Sequence, residues 1–153
     1  MKLGLIGAAL AIVAAGAVPY ADAHTTITTS CKPRLVGTSV VYCGPAQATL
    51  STLRGEFTKG SCKRSVVNGV QQFTVKLGVR TQNATTNNGK RYFGLTISGP
   101  LTHPTGGGVI AYANGKRWGG VGIGFHGNAQ KGSFVASGIR GNTGSARGTY
   151  DCG

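Results

Sequence analysis

Carboxylates are almost missing from this chain. Three Asp and Glu stand against 16 Lys and Arg in 153 residues, for a net charge of +13. That scarcity argues against any mechanism that needs several carboxylates. A glycosidase needs two placed together, and only Glu56 and Asp151 lie beyond the N-terminal segment. Charged residues make up just 12% of the chain, so the basic excess is not that of a charge-rich disordered tail. No amphipathic helical repeat is present, which excludes a coiled coil. No G-x-S-x-G elbow occurs, and a Ser-His-Asp triad would have to draw on Asp151, on His126 or His103, and on one of many serines. Zinc-finger, RRM and KH signatures are missing, so sequence-specific nucleic-acid reading is not expected. The balance of these absences is against an enzyme.

The longest apolar run is at the start. Residues 1–23 carry Lys2, then an uncharged stretch from Leu3 to Val18, then Pro19 and the small-x-small triplet Ala21-Asp22-Ala23. That is the order of a cleaved signal peptide, and the run is short for a span of about 20 residues. The mature part is then a single secreted domain, residues 24–153. Losing Lys2 and Asp22 together leaves the charge at +13. Cys31 lies well past the apolar run, in a context unlike a lipid-attachment box, so an exported chain without a transmembrane span is expected.

Four cysteines follow: Cys31, Cys43, Cys62 and Cys152. An even count in an exported chain reads as a disulfide framework, and no paired CxxC units mark a zinc site. Three pairings are possible. The expected one is Cys31–Cys43, closing a short loop, with Cys62–Cys152 tying an early strand to the last. No free thiol then remains for nucleophilic chemistry.

Short strands and tight turns fill the rest. Phe73, Val75, Leu77 and Val79 alternate with polar residues; Phe93, Leu95 and Ile97 repeat the pattern, and Val121, Ile123 and Phe125 alternate with glycines. Further candidates are Val36 to Cys43, Ala46 to Leu53, Val109 to Ala113, Phe134 to Ile139 and Gly148 to Cys152. The expected fold is all-β, an antiparallel sandwich or small barrel of about eight or nine short strands held by two disulfides. Asn68-Gly69, Asn88-Gly89 and Asn114-Gly115 each supply the two positive-φ positions of a type I′ hairpin, so three such hairpins are expected. The bare glycine face at 120, 122 and 124 requires a close neighbour, with Trp118 the nearest cover.

Two of these turns carry the same basic-aromatic sequence. Asn88-Gly-Lys90-Arg91-Tyr92 and Asn114-Gly-Lys116-Arg117-Trp118 share Asn-Gly-Lys-Arg-aromatic. A cation beside an aromatic on one strand face suits an anionic group next to a ring or sugar. Lys90, Arg91, Tyr92, Lys116, Arg117 and Trp118 are the candidate anion-binding residues. The remaining bases are scattered along the chain, which favours general adhesion to an anionic cell-wall polymer, acidic polysaccharide or other polyanion.

A copper alternative rests on His24. Cleavage after Ala23 would make it the N-terminus, where its amine and ring, with His126 or His103, would form a three-nitrogen copper brace. No scaffold evident in the sequence orients those nitrogens, and no tight copper site is expected. No other cofactor is expected. A third reading, a small toxin or antimicrobial protein, follows from the basic, disulfide-bonded, exported character.

Tyr42-Cys-Gly-Pro-Ala-Gln-Ala48, then Gly60-Ser-Cys62, then the closing Gly148-Thr-Tyr-Asp-Cys152, resemble small secreted actinobacterial β-proteins with no assigned activity. They are more distantly similar to mycobacterial surface lipoprotein antigens, which also end a β-domain on a cysteine. This chain departs from the latter in lacking a lipidation cysteine. The resemblance implies a secreted or envelope-associated β-protein and carries over no site residues.

Overall fold

The computed structural model describes residues 31–153. Eleven strands run through them in one sheet: β1 Arg34–Val36, β2 Ser39–Val41, β3 Gln47–Leu50, β4 Leu53–Phe57, β5 Gly60–Val67, β6 Val70–Thr81, β7 Tyr92–Ser98, β8 Gly106–Ala113, β9 Lys116–Gly127, β10 Lys131–Gly138 and β11 Ser145–Asp151. Every strand pair is antiparallel. The all-β class is as expected from the alternation. The strand number is larger because two stretches read as single strands are each a hairpin, β1 and β2 about Gly37-Thr38 and β3 and β4 about Ser51-Thr52, and because Gly60–Val67 is a strand of its own, β5.

The hydrogen-bonded order is β1-β2-β6-β7-β8-β9-β10-β11-β3-β4, and β5 also pairs with β6. β5 covers β6 from Val70 to Leu77, and β2 covers it from Val79 to Thr81. The two halves of this 12-residue strand therefore share one edge between two partners. The sheet then closes. Gly60, opening β5, accepts a hydrogen bond from Ala46 N at 3.1 Å and donates to Gly44 O at 3.2 Å, a parallel bridge at Pro45. That segment leads directly into β3, beside β11, so the ring of hydrogen bonds is complete. Among the described residues the closure is made at that bridge alone: β5 from Ser61 to Val67 pairs only with β6, and β4 only with β3.

One apolar core fills the interior. Phe73, Val75 and Leu77 of β6 face Phe93, Leu95 and Ile97 of β7, Ala111 of β8, Phe134 and Ala136 of β10, and Ala146 and Tyr150 of β11. Phe57 of β4 packs on Phe93, ring centroids 5.5 Å apart. These are the alternate positions of each strand, as period-two patterning requires. Tyr150 stacks on Phe125 at 6.0 Å, and its hydroxyl donates to Asn128 O.

Both expected disulfides are present. Cys31–Cys43 spans 12 residues and Cys62–Cys152 spans 90. The second crosses the seam where β5 meets the end of β11.

Two of the three Asn-Gly turns behave as expected. Asn68-Gly69 has φ of 50° and 77°, and Asn114-Gly115 has 52° and 71°; each is the whole connection between its strands. Asn88-Gly89 does not. It lies in a short 3₁₀ turn, Asn87–Gly89, inside a ten-residue link between β6 and β7. The buried Asn87 side chain organises that link: it accepts from Thr81 N at 2.6 Å and donates to Val79 O and Lys90 O at 2.8 Å each. A side chain that satisfies three backbone groups outweighs the local preference of Asn-Gly for a two-residue turn.

The glycine strand also departs from simple alternation. Gly122 takes φ of 67°, and the register between β9 and β10 shifts there. This β-bulge turns Val121 outward and leaves it 44% exposed, while Ile123 and Phe125 pack on the core. Gly120 before the bulge faces inward. Trp118 lies over it so closely that a Cβ at 120 would sit 2.5 Å from the indole Cη2, the cover anticipated from the sequence. The expectation fails for the rest of the glycine face: a Cβ at 122 meets nothing within 4 Å, and one at 124 comes no nearer than 3.9 Å to Val135.

Candidate functional site

Strand register decides which sequence-distant residues become neighbours. Tyr92 at the start of β7 lies opposite Tyr112 of β8, which lies opposite Arg117 near the start of β9. The two basic turns therefore sit at one end of the barrel. Their backbones are two strand spacings apart, about 9–10 Å. The β10–β11 loop joins them, because Ile139 N donates to Gly119 O at 3.0 Å and Arg140 follows. We call this the upper end. The lower end holds the β5–β6 turn, the β7–β8 loop and the β9–β10 turn.

The candidate residues take different roles there. Lys116 and Arg117 are exposed. Lys90 is exposed and its Nζ donates to Ser39 Oγ at 3.3 Å. Arg91 is half-buried: its guanidinium donates to the carbonyls of Arg54, Gly55 and Glu56 at 3.2, 3.0 and 3.0 Å and lies 4.6 Å from the Phe57 ring centroid. It clamps β4, the last strand of the sheet order, whose outer carbonyls need donors. The two aromatics fall on opposite faces. Trp118 is inside the barrel, 5% exposed, and Tyr92 is outside, 4% exposed. The sequence repeat is therefore not a repeated structure: the upper end presents cations, and neither ring of the pair presents an open stacking face.

Tyr92 is covered by a cluster the sequence did not suggest. Tyr42 and Tyr112 flank it at 5.8 and 6.4 Å between centroids. Arg80 lies over both, 5.0 Å from the Tyr92 centroid and 5.6 Å from that of Tyr112. Cation–π contacts of this kind are favourable by about 0.5–2 kcal/mol. Burial pushes the Tyr92 hydroxyl up to about 12, with Tyr42 adding to the rise and Arg80 opposing it. Burial also pushes Tyr150 up to about 12, with Arg64 opposing. In the unfolded chain these groups ionise near 10.0. Between those values the native state keeps protons that the unfolded state has released, so stability falls as pH rises. The urea midpoint should be level up to about pH 9 and decline through about pH 11. A midpoint unchanged across that interval would show that the hydroxyls titrate alike in both states.

A second feature lies on the β3–β4–β10–β11 side. An open groove of about 670 Å³ is lined by Thr49, Ser51, Arg54, Glu56, Ser133, Val135, Arg147 and Thr149, among others. A neighbouring depression shares Thr49, Glu56, Ser133 and Thr149 and adds His126, Lys131 and Asp151. Glu56 and Asp151, the only carboxylates among the described residues, thus line one continuous surface. His126 pairs across the strands with Ser133, and Lys131 with Asp151. Ser133 stands between the strand of the histidine and the strand of the aspartate, so the order is wrong for a triad, in which the imidazole bridges the other two. The tightest contact here is between hydroxyls, Thr49 Oγ1 and Thr149 Oγ1 at 2.7 Å.

The copper alternative cannot be placed on this geometry. His24 lies outside the described residues. His103 is in the β7–β8 loop and His126 near the end of β9, both exposed. No group of three His, Cys, Asp or Glu side chains suited to a metal ion occurs among the described residues. No described helix is long and apolar enough to cross a membrane. Comparison with known proteins finds no matching family, no significantly similar curated protein and no significantly similar solved structure.

Proposed function

We propose that this is a secreted or cell-envelope β-domain that binds anionic polymers or surfaces without catalysis, using the upper end of the barrel. The observation that carries the reading is the convergence of Lys90, Lys116, Arg117 and Arg140 at that end, all exposed. No carboxylate occurs on β6 to β10 or on the links between them. A concentration of one sign of charge attracts a polyanion over several ångströms and binds it with little demand on its sequence. Arg91 supports the site indirectly, by holding β4 rather than by meeting the ligand. Export rests on the N-terminal segment and the disulfide framework.

The test is retention of the mature chain on immobilised heparin or wall teichoic polymer across a salt gradient. Retention should fall steeply with salt, since exposed charges are screened beyond about 8 Å at physiological ionic strength. Replacing Lys116 and Arg117 with alanine should weaken binding about fivefold, at roughly 0.5 kcal/mol per exposed charge. Replacing Lys63 and Lys131, at the lower end, removes the same charge and should do less. Equal losses would mean that net charge alone acts, and the upper-end site would be abandoned.

A further inference from the structure

The lower end carries a different kind of surface. The β5–β6 hairpin outruns its neighbour. The last β6 position paired with β7 is Gln72, opposite Ser98, and Gly99 N closes the edge on Gln71 O at 2.8 Å. Beyond that point the hairpin has no β7 partner: Val66 pairs with Gln71, and Asn68-Gly69 makes the turn. Val67 pairs directly with Val70 across the turn. The three valines are 68%, 44% and 43% exposed in chain order, three of the seven large apolar side chains left exposed among the described residues. Val66 points to one side of the ribbon and Val67 with Val70 to the other, so the tip is apolar on both faces.

Behind the tip the chemistry changes at once. Lys63 and Arg64 precede Val66 on β5 and are exposed; Gln71 and Gln72 follow Val70 on β6. An apolar point with a basic collar is complementary to an anionic bilayer: the valines fit the acyl boundary and the cations the headgroups. A soluble polyanion would use the collar and leave the valines in water. A flat protein partner would cover one face of the ribbon and not the other. We propose that the β5–β6 hairpin tip is a membrane-docking element, inserting Val66, Val67 and Val70 into the interface of a membrane rich in anionic lipid, with Lys63 and Arg64 on the headgroups. This surface is separate from the polymer-binding upper end and does not depend on that reading.

The hairpin can be altered without touching the core, since each of these side chains is exposed. Co-sedimentation would use the mature chain with vesicles of phosphatidylglycerol and phosphatidylcholine in equal parts. The Val66→Ser, Val67→Ser, Val70→Ser triple variant should lose about tenfold or more in partitioning. Lys63→Gln should lose about fivefold. Heparin retention of the triple variant should equal that of the unaltered chain, because no charge has changed. A Val67→Trp variant reports depth: its emission should shift to the blue with the anionic vesicles and not with heparin. The proposal is overturned if the unaltered chain does not sediment with these vesicles, if the triple variant sediments equally well, or if the Val67→Trp emission stays unshifted on vesicles that carry the protein. The last two outcomes would leave surface charge as the whole attraction.

Discussion

Replacing Cys62 and Cys152 together by alanine should lower the free energy of unfolding by about 4 to 5 kcal/mol, the chain-entropy value for a loop of this length. The bridge joins residues 90 apart in sequence, so without it the unfolded chain regains nearly all the freedom of the barrel. Native contacts are affected too. Cys152 is 2% exposed and belongs to the core cluster, and its N–H donates to Gln130 O at 2.7 Å. The seam it crosses is otherwise held by the short bridge at Pro45 and Gly60. A domain of this size has about 5–15 kcal/mol in total, so the variant should be marginal at physiological temperature. The Cys31–Cys43 pair closes 12 residues and ties down a peripheral hairpin; its removal should cost about 3 kcal/mol or less. Urea unfolding of the two double variants separates these cases. Equal losses, or a loss under about 2 kcal/mol for the long bridge, would show that the barrel closes without covalent help.

How far each feature of the fold is legible depends on what local sequence encodes. Phe73, Val75 and Leu77 alternate because one face of β6 is buried, and that alternation is visible in the chain. Two Asn-Gly turns act locally and read correctly. β5 is not legible as an alternating run: Gly60, Cys62 and the exposed Arg64 share one of its faces and Ser61, Lys63 and Ser65 the other, which gives no hydrophobic period. Its strand character comes from pairing with β6. The bulge at Gly122 was hidden for the opposite reason: the alternation there is regular in sequence, and only the pairing with β10 reveals that one residue is extra.

The candidate site was half visible in the same sense. Lys116 and Arg117 directly follow a two-residue turn and are exposed, as turn chemistry implies. Arg91 looked equivalent, yet it is committed to three carbonyls of β4. Those carbonyls lie some 35 residues earlier in the chain, and nothing near Arg91 announces them. The tyrosine cluster around Arg80 draws on β6, β7, β8 and the end of β2, four segments that meet only through register. The convergence of Glu56 and Asp151 on the depression beside the groove has the same origin.

Trp118→Ala separates the two roles that an aromatic beside a basic turn can play. The side chain is 5% exposed, part of the core cluster, and laid across Gly120. Truncation leaves a void that Gly120 cannot fill, and Ala111, opposite on β8, is too small to close it. The expected cost is about 3–5 kcal/mol in urea unfolding, among the largest for any single side chain here. Affinity for a polyanion, measured below the unfolding transition and corrected for the folded fraction, should be unchanged, because Lys116 and Arg117 remain on the strand start. If Trp118 were instead a stacking platform, the result would invert: stability nearly intact and retention lost. That inversion would overturn both the inward placement of the indole and the division of the upper end into a cationic exterior over an aromatic core.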